Sequence, residues 1–296
     1  MAKIFGVNTK ISGKVGQFIY RQTKNGTVVS EAPAKPSTPL RTRRQMNIRT
    51  QWANLGAVYK LFHGMLRKGF ENLPAGISVY NAFIQANLGN VKVFITRQTR
   101  LNGGAILAPY QITCGSLPSI PITLNSSRIL VSGIRLGTLT IDQNTTIADF
   151  SQAVLAHNPQ FEEGDQITCF VGHQSIDSVT RTPRATINGY KVVLDSADET
   201  ILWNVVDRFG FSSVDQSLGT QSTLRDGAIA WVHSRENEAT NLLLVSTQML
   251  YVENSSLASY QSVNAFTESA KSYGGINSDP VYLQPDVDTN ASIVTP

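Results

Sequence analysis

The first hundred residues are almost free of acidic side chains. Residues 1–100 contain 16 Lys and Arg but only two acids, Glu31 and Glu71, which gives a net charge of +14. Residues 101–296 have the opposite balance, with nine basic and 19 acidic residues and a net charge of −10. Such a division says more about partners than about fold. We expect the basic half to bind a polyanion or an acidic protein surface.

Cysteine and histidine are scarce. Cys114 and Cys169 lie in apolar, strand-like contexts and match no zinc or disulfide framework, so both are predicted to be buried, reduced thiols. The four histidines have no metal-ligand spacing. The sequence also lacks a nucleophile elbow and a dinucleotide-binding fingerprint. We therefore expect no catalytic site, no metal and no cofactor, and an enzyme is the function least favoured.

Long apolar runs are missing as well. No run approaches the roughly 18–20 residues that cross a bilayer, and residues 1–6 lead into a polar stretch without a signal-peptide core. These features predict a soluble protein without a membrane partner. The charged content of 16% is low, against about 25% on average. Other subunits are therefore expected to cover part of the surface.

Residues 1–43 are predicted to form a basic hairpin and a Pro-rich arm. Asn25-Gly26 separates two β-favouring runs, 13–22 and 27–30, and Asn-Gly favours a tight hairpin turn. Prolines at positions 33, 36 and 39 then favour an extended segment. Two strands alone are marginal in water. The hairpin is therefore expected to pack on a helix of this chain, a neighbouring subunit or nucleic acid.

The basic side chains of this region are the candidate contact residues. They are Lys10, Lys14, Arg21, Lys24, Lys35, Arg41, Arg43, Arg44 and Arg49. Phe18 and Tyr20 lie among them, and such aromatic rings stack on bases or pack on protein. Three interpretations follow: a solvated basic arm, a segment that docks on an acidic protein surface such as the acidic half of another copy, or a nucleic-acid contact.

Residues 44–90 are predicted to form a helical hairpin. Large apolar residues recur at spacings of three and four from Trp52 to Phe70, which predicts a helix from residue 44 to residue 70. A second helix is predicted from Ser78, as its N-cap, to Leu88. The pair is expected to bury four rings: Trp52, Phe62, Tyr80 and Phe83.

Residues 91–252 are predicted to form a mainly antiparallel β domain, sandwich or barrel-like, because short strands alternate with turn residues. The predicted strands are 91–95, 106–113, 127–132, 165–171, 185–194, 228–234 and 242–252, with a short helix at 148–156. Residues 162–165 are predicted to be a solvated acidic turn and 173–177 a polar loop. Residues 253–296 are predicted to be an extended C-terminal tail. The expected fold class is α+β.

Several motifs resemble an uncharacterised family of domains of unknown function that is common in Bacteroidales and their phages. The most specific is KISGKVG at residues 10–16. The others are residues 52–55, 69–72, 78–83, 108–113, 115–118 and 244–248. The resemblance covers most of the chain and is densest over residues 10–120. It implies a Bacteroidales host or phage context but no particular chemistry.

Together with arm-like ends, the resemblance implies a structural virion protein, for instance of a crAss-like phage. Such a protein would be a ring or connector around portal and tail, or a capsid accessory. It would be made in the host cytoplasm, reside in the virion, and bind copies of itself and other virion proteins of the portal, ring, tail or capsid. The alternatives are a nucleic-acid-binding or packaging protein that contacts DNA through the basic segment, and a host structural or surface protein of the same family.

Overall fold

The computed structural model describes residues 12–23, 26–32, 43–237 and 242–273. The chain divides into two compact units. The smaller unit contains the N-terminal strands and residues 73–78, and the larger unit contains the other described residues. Six α-helices and four antiparallel sheets lie in the described residues, which confirms the α+β fold class with a mainly β region.

The small unit is built on a three-stranded antiparallel sheet, the N-terminal sheet. Its strands are β1 (Gly13–Val15), β2 (Phe18–Thr23) and β3 (Gly26–Glu31), in the order β1-β2-β3. The hairpin between β2 and β3 is confirmed, since Thr23 pairs with Gly26. The single strand predicted over 13–22 is wrong. Gly16, at φ +59°, takes the left-handed conformation that glycine adopts readily and turns the chain between β1 and β2.

The larger unit contains all the helices and the remaining strands of the described residues. In chain order these are α1 (Arg43–Leu61), α2 (Val79–Asn87), α3 (Arg97–Leu101), β4 (Gln111–Thr113), β5 (Ile122–Leu124), β6 (Leu130–Arg135), α4 (Ile147–His157), β7 (Gln166–Ile176), β8 (Pro183–Val193), β9 (Ser212–Val214), β10 (Ser217–Gly219), β11 (Gly227–Asn237), β12 (Leu242–Val245), β13 (Gln248–Met249), β14 (Tyr251–Glu253), α5 (Leu257–Gln261) and α6 (Val263–Ser272).

Helix α1 is shorter than its apolar pattern predicts. It ends at Leu61, and His63 and Gly64 then adopt positive φ angles of 46° and 85°, which a helix does not contain. Phe62 still lies in the core, as predicted, at 1% exposure. Trp52 does not: it is 37% exposed, and its Nε1 donates to the Tyr80 hydroxyl at 2.7 Å. The second helix, α2, agrees with the prediction to within one residue.

The central sheet has the order β12-β11-β7-β8, and β14 also pairs with β11. Successive residues of a strand point to opposite faces. Phe170 and Ala230 therefore belong to a core shared with α1 and α2. Cys169 and Trp231 belong to a second core, shared with α4 and the sheet β5-β6-β10-β9. Both faces of the central sheet are buried over most of β7 and β11, whereas the edge strand β8 is partly exposed. Helices and strands from both sides of residue 90 form one unit.

Three strand predictions in this region are wrong, one over its whole length and two in part. Residues 91–95 have no strand pairing, although Val93 and Ile95 are buried, so their hydrophobicity serves the core rather than a sheet. Of residues 106–113, only β4 is a strand, and it pairs with β13. The predicted last strand, 242–252, is three short strands, β12, β13 and β14.

The short helix predicted at 148–156 is confirmed as α4. Thr146 accepts a hydrogen bond from the Asp149 amide, and the Asp149 carboxylate accepts one from the Thr146 amide. This reciprocal pair is a capping box, which satisfies amides that the helix itself leaves unpaired. Phe150 and Val154 are buried in the second core.

Two further predictions are corrected. The extended tail is wrong for residues 257–272, which form α5 and α6; Phe266 of α6 is buried and packs edge-on against Phe94 at 5.2 Å between ring centroids. Residues 274–296 lie outside the described residues. Cys169 is buried as predicted, but Cys114 is exposed; both are free thiols.

Candidate interaction sites

The structure places only part of the predicted basic set. Lys14 lies on β1 and Arg21 on β2, and both are exposed. Arg49 is exposed on α1, which begins at Arg43 and Arg44. The remaining members lie outside the described residues: Lys10, Lys24, Lys35 and Arg41. A contact role for the whole set therefore stays a prediction. Lys14 and Arg21 are the two described members that lie on the same sheet.

The N-terminal sheet presents two different faces. Lys14 is opposite Ile19, and Arg21 follows Ile19 by two positions, so Lys14 and Arg21 are diagonal neighbours on one face. Cβ atoms in that relation lie roughly 7–8 Å apart. Val28 pairs with Arg21 and shares this basic face. The spacing suits two contacts to a polyanion.

The opposite face of the N-terminal sheet contains an apolar patch, bordered by Glu31, which pairs with Phe18. Val15 pairs with Phe18, and Tyr20 pairs with Val29. Three of these side chains are strongly exposed: Val15 at 43%, Phe18 at 42% and Val29 at 51%. We call these four residues the apolar face. A patch of large apolar side chains on a small sheet is a feature of surfaces that bind other proteins.

A second cluster of positive charge lies in the larger unit. Lys60 of α1 and Arg97 and Arg100 of α3 line a cleft of about 500 Å³, which we call the cation cleft. Among the described residues, none of those that line it is acidic. The other lining residues are Gly56, Ala57, Leu61, Leu101, Gly103, Gly104 and Tyr273. Three positive charges around one concave surface give a strong attraction for anions.

Sequence reasoning did not assign the cation cleft. Arg97 and Arg100 are three residues apart, and this spacing places them on one side of a helix. The sequence does contain a start signal for this helix, because threonine is a favoured N-cap residue. In the structure Thr96 is the N-cap of α3 and accepts a hydrogen bond from the Thr99 amide at 3.1 Å. Lys60, in contrast, is brought to the two arginines only by tertiary packing.

A separate cavity of about 430 Å³ lies over the central sheet. Phe170, Val232 and Leu66 give it an apolar lining, while Lys68, Lys191 and Glu236 are charged groups among its lining residues. Its chemistry suits an apolar side chain flanked by polar groups. None of the predicted contact residues that the structure describes is among its lining residues.

The acidic turn predicted at 162–165 is not simply solvated. The Asp165 carboxylate is 1% exposed, and it accepts hydrogen bonds from His233 Nε2 at 2.7 Å and Arg235 Nε at 2.6 Å. Burial alone would raise the pKa of Asp165, but the hydrogen bonds from Arg235, His233 and the Glu162 amide outweigh it and lower the pKa to about 2. The arrangement is a buried ion network that ties β11 to the start of β7.

The predicted polar loop at 173–177 is also corrected, because β7 continues to Ile176. Gln174 is buried, accepts a hydrogen bond from the Leu107 amide at 2.8 Å and donates one to the Arg184 carbonyl at 2.8 Å. These contacts give it a structural role.

Metal-binding clusters and membrane-spanning helices are both absent from the described part of the chain. No group of three or more His, Cys, Asp or Glu side chains there is arranged to hold a metal ion. Among the same residues, no helix has both the length and the apolar character needed to cross a membrane.

Comparisons with protein-family models, with curated proteins and with solved structures found no match. Function therefore has to follow from the residues and surfaces of this chain.

Proposed function

We propose that the protein is a structural subunit of a bacteriophage virion, a ring or connector protein around portal and tail or a capsid accessory, which joins neighbouring subunits. The observation that supports assembly is the exposed apolar face of the N-terminal sheet. Val15, Phe18 and Val29 are each more than 40% exposed there. The virion context is supported by the sequence resemblance alone.

The apolar face favours assembly because apolar side chains are less stable in contact with water than when they are buried. Burial of apolar surface stabilises by roughly 25 cal/mol per Å². A three-stranded sheet of 15 paired residues has little core of its own. A neighbouring subunit that covers Phe18 and Val29 would supply the missing layer, in a contact where different patches meet.

Val28 and Val29 provide a matched test of this proposal. They are adjacent in β3 and equally exposed, at 51%, but they lie on opposite faces of the sheet. Val29→Asp puts a charge into the apolar face and should block assembly. Val28→Asp puts the same charge on the other face and should leave assembly by copies of the chain intact. Light scattering of the two full-length variants over a range of concentrations measures how far each one assembles.

The result that contradicts the proposal is a wild-type chain that stays monomeric at every concentration and is absent, by mass spectrometry, from purified virions. Assembly that is equally strong in the two valine variants would exclude the apolar face as the contact.

The second candidate function is binding of nucleic acid, which the pairing of Lys14 and Arg21 on the basic face favours. Each phosphate contact on duplex DNA contributes about −0.9 to the slope of log affinity against log salt. Replacing both residues by Ala should therefore flatten that slope by about 2. The loss should be the same for all DNA sequences, because phosphate contacts carry no base information. A full chain that fails to bind DNA at low salt would exclude this function.

A further inference from the structure

The cation cleft has features of a formed site rather than of scattered surface charge. Its two arginines are carried by α3, which is fixed at both ends. The Arg97 amide donates to Ser272 Oγ at 2.8 Å, and the Gly104 amide donates to the Thr99 carbonyl at 2.8 Å. The cleft wall is therefore held to α6 by a hydrogen bond to a serine side chain and to its own helix by a backbone hydrogen bond.

Two glycines set the shape of this wall. A Cβ atom at Gly104 would lie 2.6 Å from Thr99 Cγ2 and 2.7 Å from Thr182 Cγ2, so only glycine allows the chain to pack this closely. A Cβ atom at Gly103 would lie 2.9 Å from Arg184 Nη1, so a third guanidinium lies next to this part of the cleft lining. Arg184 also interacts with Asp177, so its charge is partly offset.

Tyr273 adds a polar group near the arginines. It lines the cleft together with Arg97 and Arg100. Burial raises the pKa of its phenol, and the charges of Arg100 and Arg97 partly oppose that rise. Among the described residues, no carboxylate forms an ion pair with Lys60, Arg97 or Arg100. Their charges are therefore not neutralised by acidic side chains of the described chain.

We propose that the cation cleft binds a compact phosphate-bearing anion, of the size of a di- or triphosphate group. Arginine presents a planar fork of donors that matches phosphate oxygens, and lysine adds a point charge. A volume of about 500 Å³ accommodates a small multiply charged anion, since small-molecule sites span roughly 300–1,000 Å³. The cleft differs in residues and in location along the chain from the N-terminal sheet, so this proposal does not depend on the proposed function.

Pyrophosphate is the probe for the test, titrated into the full-length chain by isothermal calorimetry at low salt. Saturable binding at one site per chain is expected. Arg97→Ala and Arg100→Ala should each weaken it about 10- to 100-fold, the range for loss of hydrogen bonds to a charged group. Arg100→Lys should weaken binding less than Arg100→Ala, because it keeps the charge and loses only the forked geometry.

Matched controls separate this site from general attraction by a basic protein. Lys68→Ala and Lys191→Ala remove exposed cations from the other cavity and should leave the affinity unchanged. The double variant Lys14→Ala with Arg21→Ala should also leave it unchanged, whatever that variant does to DNA binding or assembly. The replaced cleft side chains are exposed, so the thermal midpoint should stay at the wild-type value and show that the variants fold.

Three results would overturn the proposal. One is the absence of pyrophosphate binding by the wild-type chain at millimolar concentration. Another is an equal loss of affinity in the cleft variants and the control variants. The third is binding of a single-stranded oligonucleotide through these residues with no binding of pyrophosphate, which would assign the cleft to a nucleic-acid backbone.

Discussion

The N-terminal sheet and the central sheet differ in how far their apolar side chains are covered by other parts of the chain. The inner strands β7 and β11 of the central sheet bury both faces, one against α1 and α2 and the other against α4 and a second sheet. The N-terminal sheet has an apolar face with Phe18 and Val29 exposed and a basic face with Lys14 and Arg21 exposed. A sheet gains stability when a layer covers its apolar side chains. The central sheet is therefore covered within one chain, whereas completion of the N-terminal sheet by a partner is what we propose.

The largest expected effect is on the central sheet. Trp231 is fully buried, and its Nε1 donates to the Gly210 carbonyl at 2.9 Å. Trp231→Ala should lower the free energy of unfolding by about 3–5 kcal/mol, because it leaves a cavity and an unpaired carbonyl. Chemical denaturation measures this. The control is Trp52→Ala, which removes the same side chain from an exposed position and should cost about 1 kcal/mol. Equal losses would mean that Trp52 is as important to the core as Trp231.

A comparable loss is expected at the buried ion network. Asp165→Asn removes the charge that pairs with Arg235 and His233, and breaking a buried pair costs about 3–5 kcal/mol. Glu162→Gln is the control, since Glu162 also contacts Arg235 but its side chain is 67% exposed. That variant should change stability by less than about 1 kcal/mol. A silent Asp165→Asn variant would show that the network does not hold β7 and β11 together.

The same network predicts how stability depends on pH. The folded-state pKa of Asp165 is about 2, below the ordinary value of 3.8. A lowered pKa stabilises the fold above the unfolded value, and the contribution is lost as the pH falls towards the folded value. Between roughly pH 4 and pH 2 the wild-type chain should lose about 2 kcal/mol through this group. In Asp165→Asn this part of the pH dependence should be missing, which denaturation at several pH values tests.

The smallest expected effect is on the apolar face. Phe18→Ala in the monomeric chain should change the unfolding free energy of the larger unit by less than about 0.5 kcal/mol, as for an ordinary surface substitution. The same variant should raise the concentration needed for assembly. If Phe18→Ala strongly destabilised the monomer, Phe18 would already be covered within the chain. The N-terminal sheet and the central sheet would then not differ in how their apolar side chains are covered.

The fold class and several elements could be predicted from local signals. The hairpin signal before β3, the threonines before α4 and the apolar pattern of α1 each depend on neighbouring residues. The pairing of β2 with β3 and both helices appear in the structure. The end of α1 could not be predicted from its pattern, because Phe62 and Leu66 continue the apolar spacing in turns that also face the core. Residues 91–95 are apolar for the same reason, without being a strand.

The candidate sites were less accessible from sequence. The charge division predicts that the contact residues lie in the first hundred residues. Lys14, Arg21 and the three cations of the cleft all belong to that part of the chain. Which cations meet depends on tertiary packing: Lys60 reaches Arg97 across 37 positions. Asp165 resembled a solvated turn residue because its partners, His233 and Arg235, follow about 70 positions later.

Hydrogen exchange tests the contrast between the two sheets most directly. Amides of residues 18–31 and of residues 166–176 are to be compared at concentrations where light scattering finds monomers and where it finds assemblies. We predict that the N-terminal sheet exchanges rapidly in the monomer and becomes protected on assembly, while β7 exchanges slowly in both states. Equal, slow exchange of the two sheets in the monomer would contradict the account, because the N-terminal sheet would then be complete without a partner.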